Sequence, residues 1–330
     1  MRRFLHAILL LPLVVALGCA QSSAPPATTV EKNHIVVGGM PIPDAAPLYI
    51  AQKRGFFEAE GLTVDIQPIQ GASYAIPRLL GGGMDIAILN YITAIQHHSQ
   101  GAKLRLIADS YQAGPGTFLL MAAKDSPIKS PADLRGKKIA VATFRSIGTL
   151  TTEVSLRIHG LTAKDVTLVE IPLPNMPAAL EAGTVDACWM AEPFIHDVGI
   201  KGAHEIGDVM SGPTDRFPIA GWGVSEQFAA KNPKTVAAFQ RALAKAQRLA
   251  AADRGIVTDI LPSYTKIDPE TAKLITLGTF PTTIKRERLQ RVADIMRDYG
   301  YLSAPVDVSG MLLSTAMPEG TPATPYGTRP

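Results

Sequence analysis

The hydrophobic pattern of this chain predicts strands and helices in regular alternation over its first two thirds. Short apolar runs rich in branched side chains predict strands that are buried within sheets. Stretches of about ten residues with apolar positions three or four apart follow these runs and predict helices packed on the sheets. Such alternation is typical of βαβ units, so the pattern predicts an α/β fold with parallel strands.

Two breaks rich in glycine and proline interrupt this alternation, at 113–116 and at 211–213. After residue 231 the pattern becomes helical, with helices opening at Asn232-Pro233 and at Asp268-Pro269. The breaks therefore predict one α/β lobe inserted into another, with a cleft and a hinge between them. Strands are predicted at 35–37, 63–69, 85–90, 104–108, 117–123, 139–142, 166–171, 185–190 and 218–224.

The first residues have the pattern of an export signal. Arg2 and Arg3 precede an apolar run over 4–17, which ends in Gly-Cys. A basic start followed by a short apolar segment predicts a secretory signal rather than a membrane span. The sequence Ala-Leu-Gly-Cys at 16–19 resembles the bacterial lipobox, which implies that Cys19 is lipidated and becomes the new N-terminus. Cleavage without lipidation is the alternative.

The expected division of the chain follows from these signals. Five parts are predicted: a signal peptide at 1–18, a flexible tether at 19–33, lobe I at 34–116 and 213–303, lobe II at 117–212, and a C-terminal tail at 304–330. The tether and the end of the tail, beyond Met317, are small, polar and rich in proline, and the end of the tail is predicted to be disordered.

Composition narrows the classes of function. Removal of 1–18 would lower the formal net charge from +3 to +1. No run of basic residues with interleaved aromatic residues is present, so nucleic acid is not expected as a partner. With Cys19 assigned to lipid, Cys188 is left alone, and no internal disulfide is predicted. An apolar content of 46% supports one or two sizeable cores.

The stretch 137–159 joins a strand, a polar turn and a helix, and it is the first candidate for a binding site. This order directs the free N–H groups of the helix's first turn at whatever lies over the end of the strand. We therefore expect half of an anion-binding clamp, with helix capping and a solvated arginine as the alternatives. The candidate groups in the turn are Thr143, Arg145, Ser146, Gly148 and Thr149.

Further candidates lie just past other predicted strands, where open α/β sheets bind ligands. Trp189 is expected to lie flat against an apolar or aromatic part of a ligand. Glu192 is expected to accept a hydrogen bond from an amine or hydroxyl, unless it forms a salt bridge at the rim. In lobe I the candidates are Asp44, Ser73, Asn90, Tyr91 and Tyr74, the last of which fits a core position equally well. No residues have metal-ligand spacing, and no metal or cofactor is predicted.

Short motifs across most of the chain resemble the substrate-binding proteins of nitrate, sulfonate and taurine ABC importers. Each motif alone is weak, but all occur in the expected order over about 35–301 behind the lipobox. The motifs are PLYIA at 47–51, GFF at 55–57, GL at 61–62, GMDIA at 83–87, KDSP at 124–127, DLRGKKIA at 133–140, VDA at 185–187, Trp189 and Glu-Pro at 192–193.

The resemblance implies a periplasmic-binding-protein type II fold, with two α/β lobes, two crossovers and a ligand cleft between them. It implies a lipid-anchored solute-binding component of an ABC importer that delivers a small polar or anionic organic solute to its permease and ATPase. A sulfonate is the first expectation, because Arg145 stands where alkanesulfonate binders have a lysine. Leu150 stands where they have a histidine, which leaves a thiamine-type pyrimidine or another heteroaromatic as the alternative.

Enzymes are a competing class, since pyrimidine-precursor synthases of thiamine biosynthesis and chorismate-derived dehydratases look like this fold. The synthases need a cysteine cluster that a chain with only Cys19 and Cys188 lacks. No Ser-His-Asp or Cys-His arrangement is placed by the motifs either. We therefore expect a monomeric, non-enzymatic binding protein, attached by its lipid at the outer face of the cell membrane or in the periplasm. A sensor without a transport role is a third hypothesis.

Overall fold

The structure, a computed structural model, describes residues 29–313 and contains ten strands and twelve α-helices in that part of the chain. The signal peptide, the lipid attachment at Cys19 and the end of the C-terminal tail lie outside the described residues. Among residues 29–313 no helix is long and apolar enough to cross a membrane.

The strands are short, as their apolar runs predict. Their bounds are β1 His34–Gly39, β2 Thr63–Pro68, β3 Ile86–Asn90, β4 Leu104–Gln112, β5 Phe118–Ala122, β6 Lys138–Val141, β7 Thr167–Glu170, β8 Ala187–Ala191, β9 His204–Asp208 and β10 Pro218–Ser225.

Helices connect and cover the strands. Their bounds are α1 Ala46–Lys53, α2 Phe56–Ala59, α3 Ala72–Leu80, α4 Tyr91–Ser99, α5 Ile147–Ile158, α6 Met176–Glu181, α7 Phe194–Gly199, α8 Glu226–Lys231, α9 Pro233–Ala252, α10 Arg254–Ile260, α11 Pro269–Leu274 and α12 Arg286–Asp298.

Two five-stranded sheets define two lobes. Lobe I contains the sheet β2-β1-β3-β10-β4 with α1 to α4 and α8 to α12, and lobe II contains the sheet β7-β6-β8-β5-β9 with α5 to α7. The chain crosses between the lobes twice, from β4 to β5 and from β9 to β10. The predicted fold class, two α/β lobes joined by two crossovers, is confirmed.

The predicted parallel sheets are in fact mixed, because β5 and β10 run antiparallel to their neighbours. The other paired strands, β1 with β2 and β3, and β6 with β7 and β8, are parallel. The crossovers explain the difference. Each crossover begins where a strand has just ended at the cleft, so the strand that follows it starts at the cleft and runs away from it.

The hydrophobic pattern does not predict β9, α2, α7, α8 or α10. Strand β9 reads HEIGD, and Ile206 is its single branched apolar residue. It pairs only with β5 at the edge of its sheet, where polar side chains face water without cost. Edge strands of this kind carry too little apolar signal to be recognised from sequence.

Helix α9 shows how the pattern builds the core of lobe I. Pro233 occupies its first turn, where the missing N–H has no partner to lose. Val236, Phe239 and Leu243 are completely buried, and each contributes about 1.5–3 kcal/mol relative to an exposed position. The ring of Phe239 also meets Trp222 edge-on, with ring centroids 5.8 Å apart.

The ends of the described chain pack on lobe I. The N–H of Lys32 donates to Thr235 Oγ1 over 3.0 Å, and its ammonium group pairs with Asp85 at 2.8 Å. At the other end Val308 and Met311 are completely buried. Parts of the segments assigned by sequence to the tether and the tail therefore belong to the folded lobe.

Hydrogen bonds tie the two crossovers to each other. The N–H of Ala113 donates to the carbonyl of Phe217 over 2.9 Å, and the N–H of Gly116 donates to Asp208 Oδ2 over 2.8 Å. Gly116 has a φ of 74°, in the left-handed region that glycine adopts at no steric cost. The glycine in the first break thus allows the chain to turn as it enters lobe II.

Candidate ligand-binding site

A cavity of about 270 Å³ lies between the lobes. The parallel strands β1, β3, β6, β7 and β8 all end at this cleft, while β5 and β10 begin there. Residues at the strand ends and in the turns that follow them therefore form its walls, as expected for open α/β sheets.

Eight of the twelve ligand-binding candidates named from sequence line the cavity. They are Asp44, Ser73, Tyr74, Asn90, Thr143, Ser146, Trp189 and Glu192. The other four, Tyr91, Arg145, Gly148 and Thr149, do not line it.

Asp44 contributes a buried carboxylate to the lobe I wall. It lies in a single 3₁₀ turn, Pro43–Ala45, after β1, and only 6% of it is exposed. Burial raises the pKa of this carboxyl to about 7, and its own backbone N–H is the one group that opposes the shift. The side chain forms no ion pair with any residue between 29 and 313.

Glu192 also lines the cavity, but backbone groups occupy both of its oxygens. Oε1 accepts from the N–H of Thr276 and Oε2 accepts from the N–H of His196, each over 3.0 Å. Burial raises the pKa of the carboxyl, and these two hydrogen bonds oppose the rise. Because Thr276 belongs to lobe I, Glu192 connects the lobes and does not form the salt bridge considered from sequence.

Aromatic rings form the lobe II floor of the cavity. Trp189 stacks on Phe118 with ring centroids 5.2 Å apart, and its indole N–H donates to Thr151 Oγ1 over 3.0 Å. Helix α5 packs closely on the indole at Gly148, where a Cβ would lie 3.1 Å from the Trp189 ring. Gly148 therefore permits this contact, and its predicted role of holding the ligand is not supported by its position.

The residues around the start of α5 have two different roles: one closes the turn and the others face the cavity. Thr149 donates its hydroxyl to the carbonyl of Thr143 over 3.0 Å, which closes the turn and explains why Thr149 does not line the cavity. Ser146 is the N-cap of α5, yet its hydroxyl caps no backbone N–H. The hydroxyls of Thr143 and Ser146 and the first N–H groups of α5 are therefore available to a ligand.

Arg145 lies outside the cavity and contacts the other lobe. Its guanidinium donates to the carbonyl of Tyr301 over 2.9 Å and lies 4.9 Å from the centre of the Tyr301 ring. Arg157, further along α5, lies 3.9 Å from the ring of Tyr299. We call these four residues the Arg–Tyr contact. The prediction that Arg145 binds an anion in the cleft is not supported by this position.

Tyr91 belongs to the core of lobe I. Its hydroxyl donates to Asp109 Oδ1 over 2.9 Å, and Arg288 pairs with Asp109 Oδ2 over 2.8 Å. Burial raises the pKa of Asp109 to about 6, although Arg288 and Tyr91 oppose the rise. Tyr91 follows a strand end, as expected from sequence, but its side chain turns into the lobe because Asp109 provides a buried acceptor there.

Three candidates in lobe I lie at the start of helices that face the cavity. Ser73 and Tyr74 open α3, and 64% of Tyr74 is exposed, so it lines the rim and is not a core residue. Asn90 caps α4, because its Oδ1 accepts from the N–H of Thr93 over 2.9 Å. Its amide N–H groups have no partner between residues 29 and 313 and are free for a ligand.

The charge of the cavity is negative. Among the described residues that line it, Asp44, Glu170 and Glu192 are acidic, and none is Lys, Arg or His. Glu170 is exposed at the end of β7, where it accepts from the N–H of Phe144 over 2.9 Å. An anion-binding site would ordinarily place Arg or Lys at the ligand.

Several lining residues escaped the sequence analysis. Tyr111 is the penultimate residue of β4, and its hydroxyl accepts from the N–H of Gly278. Thr117 precedes β5 and Phe118 is the first residue of that strand, just beyond the first break. Ile219 and Ala220 begin β10 beyond the second break. Strands that follow a crossover start at the cleft. The position of Phe118 and Ile219 just after the two breaks could therefore have marked them as lining residues.

These features define a two-lobed binding protein fold with a buried interlobe site. The sequence model of the family described as "NMT1/THI5 like" matches residues 42–254. The chain therefore belongs to the NMT1/THI5-like family, as the resemblance of its motifs implies.

Two curated relatives are informative. The binding protein YtlA of Bacillus subtilis is 28% identical over 205 residues, which cover 62% of this chain and 61% of YtlA. The riboflavin-binding protein RibY of Chloroflexus aurantiacus is 24% identical over 314 residues, which cover 89% of this chain and 88% of RibY. The names of further relatives refer to nitrate, thiamine biosynthesis, bicarbonate and taurine. The chain spans only 44% to 61% of the length of YtlA and two other relatives.

Solved structures support the fold. The alkanesulfonate-binding protein SsuA of Xanthomonas axonopodis superposes with a TM-score of 0.72 at 18% identity, covering 86% of this chain and 99% of SsuA. A desulfurization enzyme has the same fold, with a TM-score of 0.66 at 17% identity over 85% of this chain. The fold therefore accommodates both binding proteins and enzymes.

Proposed function

We propose that this protein is the solute-binding component of an ABC importer and captures a small organic solute between its lobes. The observation that carries the proposal is the interlobe cavity, in which hydroxyls, amides and aromatic rings from both lobes converge on one volume. A ligand that contacts both walls favours the closed arrangement, which is how two-lobed proteins couple binding to delivery. Delivery to a permease and its ATPase is part of the proposal.

The aromatic floor supports a ligand with a ring system. Trp189 and Phe118 offer apolar surface, and Tyr111 adds a ring beside the acidic wall. Aromatic residues are the main anchors of apolar ligands in such pockets. We therefore favour a heteroaromatic solute over the sulfonate expected from sequence, since that expectation depended on Arg145 and no described cation lines the cavity.

The binding role is favoured over an enzymatic one because no cysteine or histidine is among the described residues that line the cavity. Cys188 lies on β8 outside the cavity, and burial raises the pKa of its thiol to about 12. Its Sγ donates to the carbonyl of Met176 over 3.7 Å. A thiol in this state is an inert packing group and not a reactive thiolate.

Attachment to a membrane through Cys19 is a further part of the proposal, supported by the lipobox-like sequence at 16–19. The experiment is expression of Cys19→Ala and wild type in a bacterial host with a labelled fatty acid. Label in the wild type and its loss from the variant are expected. An unlabelled wild-type protein would show release without an anchor.

The proposed function is tested with a thermal-shift panel of pyrimidines, flavins, taurine, other sulfonates and nitrate. A ligand at 100 times its dissociation constant adds roughly 2.7 kcal/mol, which raises the melting temperature by about 5 °C. The site is tested with Thr143→Trp, which fills the mouth from an exposed turn, and with Thr143→Ser as the matched control. Stabilisation should be lost in the first variant and kept in the second. A ligand that stabilises both variants equally would place its site elsewhere.

A further inference from the structure

Asp44 is the one buried acid in the described chain that lacks a partner outside its own residue. The structure describes four acidic residues with 7% exposure or less. Asp85 pairs with Lys32, Asp109 pairs with Arg288, and Glu192 accepts two backbone N–H groups. Asp44 has only its own backbone N–H. A buried carboxylate without a partner lowers the stability of the fold. Such a group calls for an explanation, and a ligand that supplies the missing donor or cation is one.

The backbone of Asp44 is held firmly although its carboxylate is free. Its carbonyl accepts from the hydroxyl of Ser110 over 2.7 Å, and Pro43 fixes the first position of the turn. Both groups hold the carboxylate at the cavity wall before any ligand arrives. A preformed acceptor of this kind loses little conformational freedom on binding, which favours affinity.

The surroundings of Asp44 are acidic and aromatic. Burial raises the pKa of the phenols of Tyr111 and Tyr264, and both lie close enough for the Asp44 charge to raise it further. Glu192 also raises the pKa of Tyr111, while Arg254 lowers it. None of the described groups that act on the pKa of Asp44 is a cation. The complementary ligand group therefore has to bring the missing positive charge, or the missing N–H donors, with it.

We propose that Asp44 receives a cationic or N–H-donating nitrogen of the ligand, so that the solute is an organic cation or a basic nitrogen heterocycle. This inference rests on the proposed function, because it assigns the class of ligand to the same interlobe cavity. An amidine-like edge fits best, since two adjacent N–H groups meet the two oxygens of a carboxylate in parallel. The ring to which that edge belongs then lies against Tyr111, Phe118 and Trp189.

The test uses three probes of the same shape that differ in charge: benzamidinium, benzamide and benzoate. Ligand-observed NMR titration with the full chain measures their relative affinities. We expect benzamidinium to bind at least about tenfold more tightly than benzamide, with benzoate the weakest. Equal or tighter binding of benzoate would overturn the inference, as would no binding of benzamidinium at about 20 mM.

Variants of Asp44, with a matched control, test whether the preference for benzamidinium over benzamide depends on this residue. Asp44→Asn keeps the shape and removes the charge, and it should reduce the ratio of benzamidinium to benzamide affinity to within about twofold of unity. Asp259→Asn, the same change at an exposed position on α10 in lobe I, should leave the ratio unchanged. Asp44→Ser serves as a second variant if Asp44→Asn melts at a lower temperature than the wild type. A preference that survives in both Asp44 variants would overturn the assignment.

Thr143→Trp separates this inference from the proposed function. Probes that bind without charge preference but are lost in Thr143→Trp would leave the cavity as the ligand site and remove only the role of Asp44. Probes that still bind Thr143→Trp with wild-type affinity would remove the cavity as the site and, with it, both proposals.

Discussion

Asp44 and Asp109 are both buried acidic residues of lobe I, and Ser110 forms a hydrogen bond with each of them. The N–H of Ser110 donates to Asp109 Oδ1 over 3.0 Å, and its hydroxyl donates to the carbonyl of Asp44 over 2.7 Å. Burial raises the pKa of both carboxyls, to about 6 for Asp109 and about 7 for Asp44. The partners of the two carboxylates differ, because that of Asp109 has Arg288 and Tyr91, whereas that of Asp44 has neither a cation nor a hydroxyl among residues 29–313.

This difference separates the core of lobe I from the cavity wall. In the core, the chain supplies the countercharge, because a buried acid without one destabilises the fold. At the cavity, the chain leaves the carboxylate open, and the protein loses stability to keep a binding group available. Removal of the Asp109 carboxylate should therefore lower the free energy of unfolding, and removal of the Asp44 charge should raise it.

The largest change in the free energy of unfolding is expected when Asp109 is replaced. Asp109→Ala leaves the guanidinium of Arg288 buried and unpaired, which should lower the free energy of unfolding by about 3–5 kcal/mol. Urea unfolding measures the change. The double variant Asp109→Leu with Arg288→Met replaces both charges with apolar groups and should recover most of the loss. A double variant no more stable than Asp109→Ala would show that the charge pair is not the source of the effect.

Asp44→Asn should change the free energy of unfolding in the opposite direction to Asp109→Ala and stabilise the protein above neutral pH. The folded-state pKa of Asp44, about 7, lies above its ordinary value of 3.8 because the carboxyl is buried. The unfolded chain therefore ionises first, and stability falls as the pH rises from about 4 to about 7. Each pKa unit is worth 1.36 kcal/mol, so the variant gains at most about 4 kcal/mol at pH 8 and nothing at pH 4.

Urea unfolding of wild type and Asp44→Asn at several pH values checks this prediction. The difference between the two proteins isolates Asp44, because Asp109 and Glu192 titrate in both. Asp259→Asn is the matched control, since its carboxylate is exposed. A variant less stable than the wild type at pH 8 would mean that Asp44 is satisfied in the free protein, contrary to the comparison with Asp109.

A smaller loss is expected at Glu192, which connects the lobes. Glu192→Gln replaces a charged acceptor of two backbone hydrogen bonds by a neutral group with one acceptor. It should lower the free energy of unfolding by about 1.5–3 kcal/mol. The affinities of benzamidinium and benzamide should both fall because the variant weakens closure, and benzamidinium should lose somewhat more because one negative charge leaves the cavity wall. Glu181→Gln on α6, at an exposed salt bridge to Lys201, should change neither quantity.

The fold was largely predictable because its signals are local. Apolar runs, glycine-proline breaks and helix caps such as Asn90 and Asp268 each act within a few residues of the chain. The elements that the pattern missed, β9, α2, α7, α8 and α10, are four to seven residues long, which is too short for an apolar periodicity to be recognised. The direction of β5 and β10 was also missed, because strand direction depends on how the two lobes connect and not on local sequence.

The site was only partly predictable, for a physical reason that Arg145 and Asp44 illustrate. Both residues lie in turns after strands, where the sequence analysis expects ligand contacts. Which way a side chain points in such a turn depends on partners distant in sequence, Tyr301 for Arg145 and Ser110 for Asp44. No periodicity encodes these partners, so the sequence gathers the turn residues correctly and misjudges the charge of the cavity.

The smallest effect is expected at the Arg–Tyr contact. Arg145 has a φ of 55°, a left-handed conformation that glycine adopts without strain, so Arg145→Gly removes the side chain cleanly. An exposed cation–π contact is worth about 0.5–1 kcal/mol, which corresponds to a weakening of ligand affinity by about two- to fivefold through poorer closure. Arg157→Ala at the neighbouring Tyr299 should have a similar effect.

Comparing a cationic and an anionic probe decides whether Arg145 holds the lobes together or binds an anionic ligand. If Arg145 only holds the lobes together, titrations of Arg145→Gly should weaken benzamidinium and benzoate equally. If it binds an anion, as the sequence suggests, benzoate alone should lose more than about tenfold, because an ionised partner is worth about 1.5–3 kcal/mol. Arg145→Lys keeps the charge and loses the planar contact with Tyr301, so it should resemble the glycine variant only in the first case.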